Sequence, residues 1–128
     1  MLKNNAQEAE VNNPPEQINK LNETPPSQIE IFRLISTNLN DRDIGINESI
    51  KIEFNKPVSS EFIYVIEPQI NVKIIIGNDN EIVIEPVDAW VFDTNYTLKI
   101  LKSTLSTTYQ TLDKEYIYTF QTPPYSGI

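Results

Sequence analysis

Short apolar runs separated by polar turns fill the chain from residue 29 onward. In residues 50–54 every second side chain is apolar and the ones between are charged, which gives a strand one face for a core and one for solvent. Further strand-like runs, rich in β-branched and aromatic residues, occupy residues 29–34, 62–66, 70–76, 82–84, 96–100 and 117–121. The pattern therefore predicts seven short strands and no amphipathic helix.

Details of the pattern predict local structure and fold class. The parity of apolar positions in residues 29–34 changes after Ile31, so we expect a bulge or a switch between sheets there, which suits an edge strand. Residues 77–80, Gly-Asn-Asp-Asn, tolerate positive φ and predict a hairpin. Residues 101–113, rich in Ser and Thr, are predicted to form a long loop. The whole predicts an all-β sandwich of two antiparallel sheets, with closure into a small barrel as the alternative.

Residues 1–28 have a different composition. They contain two proline pairs, several Asn and only scattered aliphatic side chains. Such a segment cannot bury enough apolar surface to offset the entropy that ordering costs. We predict a flexible linker or disordered tail at residues 1–28 and one β-sandwich domain at residues 29–128.

Composition excludes several classes of function. The chain has no Cys and no His, which removes disulfides, thiolate nucleophiles, Ser-His-Asp triads and the imidazole ligands of most zinc sites. With 10 basic and 18 acidic residues the net charge is −8, so the chain should repel nucleic acid and anionic membranes. No apolar run approaches the roughly 20 residues of a membrane span, and no apolar signal-peptide region is visible at the N-terminus. We expect a soluble segment without membrane insertion, from a protein whose signal or anchor lies outside it.

Oxygen-rich turns leave calcium as the metal to consider. The candidate ligands are Asn40, Asp41 and Asp43 in one predicted loop and Asn78, Asp79 and Asn80 in another. Neither loop matches the EF-hand spacing, and Asn and Asp dominate ordinary turns for backbone reasons. We therefore expect no metal and no cofactor.

A carboxylate pair, as in glycoside hydrolysis, is the remaining catalytic chemistry. Glu53, Glu81 and Glu85 fall on outward strand faces, and Glu67 ends a predicted strand. We interpret them as a solvated surface that keeps an acidic protein soluble. No phosphate-binding loop or activated serine stands out, so the expectation is a chain without catalytic residues that is not an enzyme.

Two aromatic residues near the predicted sixth strand have an interpretable context. Tyr96, in the stretch Asp-Thr-Asn-Tyr-Thr-Leu of residues 93–98, matches a tyrosine corner, in which a buried ring returns its hydroxyl to upstream backbone. Trp90 is either a core cap or an exposed platform for a ligand. The core is favoured, because aromatic side chains mostly serve packing.

Three stretches, in this order along the chain, resemble the bacterial immunoglobulin-like domains first described in the surface-layer protein SbsA. They are residues 45–58, with a strand that leads into Phe-Asn-Lys-Pro; residues 82–86 with 94–98, a strand, proline, loop and tyrosine; and residues 118–122, a closing strand. The chain lacks the family's proline before the first turn and its glycine in the loop before the last strand. The resemblance covers residues 29–122 and implies an immunoglobulin-like β-sandwich that serves exported bacterial proteins as a spacer, stalk or adhesive unit.

These observations lead to one hypothesis with two alternatives. The first is a non-enzymatic immunoglobulin-like module of a bacterial envelope or secreted protein, monomeric within a larger protein or assembly, with a protein or cell-surface component as its partner. The second is a carbohydrate- or protein-binding module whose candidate aromatics are Trp90, Phe92, Tyr109 and Tyr125. The third is self-assembly through an edge strand, either residues 29–34 or residues 74–76.

Overall fold

The computed structural model of the chain describes residues 30–39, 42–77 and 79–126. The predicted flexible tail, residues 1–28, lies outside these ranges, as does Ile29. Within the described ranges every strand belongs to one unit, Ile31–Ile128, and no residue is helical.

Seven antiparallel strands form two sheets. The strands are β1 (Leu34–Thr37), β2 (Ile50–Phe54), β3 (Tyr64–Glu67), β4 (Val72–Ile76), β5 (Glu81–Pro86), β6 (Asn95–Ile100) and β7 (Tyr116–Gln121). The first sheet has the order β1-β2-β5-β4 and the second has the order β3-β6-β7. This is the connectivity of an immunoglobulin constant-type sandwich, with four strands on one sheet and three on the other. The predicted sandwich is confirmed, and the two sheets keep separate edges instead of closing into a barrel.

The inward faces of the two sheets share one hydrophobic core. Ile50 lies opposite Ile84 and Ile52 lies opposite Ile82 in the β2–β5 pair, and none of these four side chains keeps accessible surface. Burial of each contributes about 1.5–3 kcal/mol relative to leaving it in water. The other buried apolar residues are Phe32, Leu34, Leu39, Ile44, Phe54, Val58, Phe62, Ile66, Trp90, Tyr96, Leu98, Ile100, Leu112 and Phe120.

The first strand begins later than the pattern predicted. Ile31 is 57% exposed, and strand pairing starts only at Leu34. Phe32, between them, is buried, and its ring centroid lies 5.6 Å from that of Phe54. The register of β1 on β2 shifts between Leu34 and Ser36. A bulge is therefore present in the first strand, but it lies further along the chain than the change of parity after Ile31 predicted. As expected, β1 is an edge strand.

The hairpin predicted at residues 77–80 connects β4 to β5. Gly77 donates its N–H to the carbonyl of Glu81 at 2.9 Å. Asn80 closes the turn with a positive φ of 65°, a conformation that Asn tolerates better than most residues. The turn chemistry read from the sequence is therefore the one that the backbone uses.

The segment between β6 and β7 is irregular, as predicted, and three of its side chains are buried. Thr104 and Ser106 have no accessible surface, and Leu112 keeps 1%. The Thr104 hydroxyl accepts the Ile63 N–H at 2.9 Å and donates to the Ile63 carbonyl at 3.2 Å. Ser and Thr are also common in exposed turns, so composition alone carries no signal for this burial.

The two lateral sides of the sandwich differ. On the side of β1 and β7, Ile44 donates its N–H to the carbonyl of Gln121 at 3.0 Å. There the Tyr116 hydroxyl accepts the Leu34 N–H at 3.3 Å and donates to the Asp113 carboxylate at 2.8 Å. On the side of β3 and β4, no backbone hydrogen bond joins the two strands in the part of the chain that the structure describes. That side is the open one.

Candidate interaction surface

A cleft of about 640 Å³ runs along the free edge of β3 on the open side of the sandwich. It is lined by the four residues of β3 and by Gln69 and Ile70, which lead into β4. Tyr64 and Ile70 pack against the core while keeping part of their surface in the cleft. The carboxylate in this lining is that of Glu67, so the cleft combines apolar side chains with one negative charge.

The β3 edge presents backbone groups to this cleft. Residues of an antiparallel pair alternate between those that bond their partner and those that point away from it. Leu101 donates its N–H to the Ile63 carbonyl at 2.8 Å, so Ile63 is one of the residues that bond β6. By the alternation, Val65 also bonds β6, whereas Tyr64 and Ile66 direct their N–H and C=O groups away from it. An added strand needs such outward-pointing groups.

β4 presents a second edge on the same side. Gly77 donates its N–H to the Glu81 carbonyl at 2.9 Å, and Val87 donates its N–H to the Asn71 carbonyl at 3.0 Å. These two bonds show which residues of β4 bond β5 and which point away from it. By the same alternation, the groups that point away from β5 belong to the apolar residues Val72, Ile74 and Ile76. The segment proposed from the sequence for self-assembly, residues 74–76, therefore lies on an edge with which no other described strand pairs.

Trp90 is a core residue, and its role as an exposed ligand platform is wrong. Its side chain is 1% exposed, and its indole N–H donates to the Glu48 carbonyl at 2.7 Å. Its ring lies edge-on to those of Tyr96 and Phe120, with centroids 5.2 Å away in both cases. A ring with every face and its one donor occupied cannot stack on a ligand.

The tyrosine corner predicted at Tyr96 is present. The ring is 1% exposed and stacks on Phe120, and its hydroxyl accepts the Val91 N–H at 2.9 Å. The corner joins the loop before β6 to the core at one end of the sandwich, which is a structural role.

The remaining candidate aromatics do not form one surface. Phe92 and Tyr125 are in edge-on contact, with centroids 5.2 Å apart, and Tyr125 is 69% exposed. Tyr109 is 83% exposed but lies in the loop after β6, whereas Phe92 precedes β6. Because the loops before and after one strand lie at opposite ends of the sandwich, a single ligand of modest size cannot contact both groups.

The candidate carboxylates lie on open strand faces. Glu53 and Glu81 are directly opposite each other in the β2–β5 pair. Glu85 lies four residues further along β5, and Glu67 belongs to the other sheet. The Glu53 carboxylate accepts the Ser36 hydroxyl at 3.2 Å. Glu67 alone among them lines the cleft beside β3.

The two Asn- and Asp-rich loops cannot share an ion. The loop that contains Asp43 precedes β2, and the loop that contains Asp79 precedes β5, which is antiparallel to β2, so the two lie at opposite ends of the sheet. Asn40, Asp41 and Asn78 fall outside the described residues. Among the residues that are described, no three His, Cys, Asp or Glu side chains are grouped as metal ligands.

Arg42 and Glu48 form an ion pair that sequence reasoning missed. Glu48 also accepts the Gly45 N–H at 3.0 Å, and this bond, followed by the one from Arg42, lowers the pKa of Glu48 below its usual value. The Glu48 carbonyl is the acceptor for Trp90. The pair therefore helps to hold the loop before β2 over the Trp90 indole.

Within the described residues there is no helix of the length and apolarity that a membrane crossing requires.

No family model matches the chain, and a search of curated proteins finds no match. Solved structures do match. A structure of the LD transpeptidase LdtMt1 in complex with imipenem is 13% identical over 73% of this chain and 41% of its own, with a TM-score of 0.52. Domains 1–6 of the surface layer protein SbsC are 16% identical over 73% of this chain and 14% of theirs, with a TM-score of 0.53. The N-terminal part of SbsC is 15% identical over 76% of this chain and 24% of its own, with a TM-score of 0.51.

The chain thus spans less than half the length of each of these proteins. At these identities the likeness establishes the fold, a seven-stranded sandwich that is shared with parts of a bacterial S-layer protein. Membership of the SbsA-type family remains a prediction.

Proposed function

We propose that the chain is a non-enzymatic immunoglobulin-like module of a bacterial envelope or secreted protein, which acts as a spacer, stalk or interaction domain. The observation that carries this proposal is the path of the chain through the sandwich. β1 begins where it pairs with the end of β2, at Phe54, and β7 ends at Gln121, opposite the start of β6 at Asn95. These two places lie at opposite poles of the sandwich, because β2 ends at one pole and β6 starts at the other.

When the chain enters a domain at one pole and leaves it at the other, consecutive domains are joined end to end, and each adds its full length to the array. A six-residue strand spans about 20 Å, so each such module separates its neighbours by at least that distance. The likeness to parts of SbsC, an S-layer protein, supports an envelope setting. The net charge of −8 disfavours nucleic acid and anionic lipid as partners and leaves a protein or another cell-surface component.

Cell fractionation tests this proposal. Antibodies raised against the 128-residue chain would be used on cytosolic, envelope and culture fractions of the bacterium that encodes it, and intact cells would be treated with protease. We expect the antigen in the envelope or the medium, with protease removing the envelope-bound part. Recovery in the cytosol alone, protected from protease until the cells are lysed, would contradict the location. Turnover of isolated peptidoglycan by the purified chain would contradict the non-enzymatic role.

A further inference from the structure

We propose that β4 is a self-pairing edge, through which two copies of this chain join their four-stranded sheets into one continuous antiparallel sheet. The inference depends on the geometry of β4 and is independent of where in the cell the protein works. It names the partner, a second copy, and the register, which is centred on Ile74.

Among the described residues, β4 has only one of the features that usually protect an edge strand, the charged side chain of Lys73. Natural edges are blunted by bulges, by proline, by charged side chains such as Lys or by covering loops. β1 carries a bulge between Leu34 and Ser36, and the β7 edge is bonded at Gln121 by the Ile44 N–H. β4 has the sequence Val-Lys-Ile-Ile-Ile, with regular pairing to β5 over all five residues and no proline. Its edge is regular, and four of its five residues are apolar.

The side chains on β4 would gain from being covered. Ile75 and Ile76 are 37% and 39% exposed, and Val72 and Ile74 pack against the core while remaining partly accessible. Val72, Ile74 and Ile76 face inward, opposite Pro86, Ile84 and Ile82 of β5. A second β4 placed alongside would extend this apolar row past the present end of the sheet.

The backbone of β4 is self-complementary. When two β4 strands run antiparallel with Ile74 opposite Ile74 of the second copy, Val72 lies opposite Ile76 of that copy. These are the residues whose N–H and C=O groups point away from β5. The pairing therefore satisfies the free backbone groups of both strands by reciprocal hydrogen bonds.

Charge also favours this register. The chain carries a net −8, so two copies repel each other unless they meet where acidic groups are absent. β4 has no acidic residue, and its one charge, Lys73, lies opposite Glu85 of its own β5. In the register centred on Ile74, each Lys73 faces Ile75 of the second copy. A register centred on Lys73 would instead place the two lysines directly opposite each other, which is unfavourable.

Charge substitutions at Ile75 test both the partner and the register. Ile75 points outward, so its replacement leaves the core intact. Sedimentation equilibrium of the full chain, from about 10 µM to about 1 mM, should show a monomer–dimer equilibrium. Ile75→Glu should lower the Kd on the order of tenfold, because it creates two symmetric Glu–Lys73 pairs, and Ile75→Lys should raise it by a similar factor. The double variant K73E/I75K restores opposite charges across the strands and should restore the dimer.

Two more variants test the backbone part of the proposal. Ile76→Pro removes an N–H that points away from β5 and should weaken the dimer more than Ile76→Ala, which keeps that N–H. Unchanged fluorescence of the buried Trp90 would show that each variant is folded. A wild-type chain that stays monomeric over the whole range overturns the proposal and leaves the edge to a different partner. A dimer that Ile75→Glu and Ile75→Lys weaken equally overturns the register.

Discussion

Replacing Tyr96 with Phe removes one oxygen atom from the tyrosine corner and leaves the ring in place. That oxygen accepts the Val91 N–H at 2.9 Å, and the ring stacks on Phe120 with centroids 5.2 Å apart. Because Phe fills nearly the same space, the ring contacts persist. The change therefore isolates the loss of one acceptor for one backbone donor.

The expected cost follows from the surroundings of that donor. A hydrogen bond contributes about 0.5–1.5 kcal/mol net, and a buried donor left without a partner costs about 1–3 kcal/mol. The Val91 side chain is 60% exposed, so water reaches part of this loop and the lower part of the range applies. We expect Tyr96→Phe to lower the free energy of unfolding by about 1.5 kcal/mol, which for a domain of this size lowers the Tm by about 6–12 °C.

Urea unfolding followed by Trp90 fluorescence measures this cost, since the indole lies 5.2 Å from the Tyr96 ring. Tyr118→Phe is the matched control: this residue lies opposite Leu98 in the next strand, and burial alone raises the pKa of its hydroxyl. We expect the control to stay within about 0.5 kcal/mol of the wild type. If Tyr96→Phe and Tyr118→Phe have equal effects, the hydroxyl of the corner contributes nothing specific and the reasoning is refuted.

Three further predictions concern the long loop and the closed side of the sandwich. Thr104→Val keeps the shape but removes both hydrogen bonds to the Ile63 backbone, so it should destabilise the domain by about 2 kcal/mol in urea, and Thr104→Ser should recover most of this. Tyr109 is exposed and has a φ of 67°, a left-handed conformation that is unfavourable for any residue with a Cβ atom. Tyr109→Gly should therefore raise the free energy of unfolding by about 0.5 kcal/mol, whereas Tyr109→Ala should not. Burial, then the hydrogen bond to Asp113, raises the pKa of Tyr116 to about 12. The unfolded chain ionises this group near its ordinary pKa of 10.0 while the folded chain resists, so stability should hold below that pH and fall as the pH rises towards 12. Urea titrations across this interval should show a smaller fall for Tyr116→Phe, and an equal fall in both proteins would contradict the assignment.

Much of the fold could be predicted because most strands of this sandwich bury one face. The alternation in residues 50–54 corresponds to β2, whose three apolar side chains have no accessible surface. The local sequence around Tyr96 was sufficient for the corner. The parity change after Ile31 predicted a bulge in the first strand, but the register shift lies later, between Leu34 and Ser36. The start of β1 was placed too early, because Ile31 fits the apolar pattern yet remains exposed.

The candidate site was less accessible to sequence reasoning. Residues 74–76 are an apolar run that fits a central strand as well as an edge strand, and only the order β1-β2-β5-β4 shows that they lie on an edge. The cleft beside β3 depends on the position of Gln69 and Ile70 relative to that strand, which no spacing in the sequence encodes. Trp90 could be assigned to the core with certainty only when its contacts with Tyr96 and Phe120 were seen.

The amino-acid sequence by itself determined which positions alternate, where the turns fall and that the chain builds an all-β fold. These are local properties, because side-chain parity along a strand and the φ preference of Asn or Gly act over a few residues. The tertiary structure alone decided which strands are edges, why Thr104 is buried and which lateral side stays open. Those properties arise from contacts between distant residues, such as the pairing of Thr104 with Ile63 across 41 positions, and a pattern with a period of two carries no information about such partners.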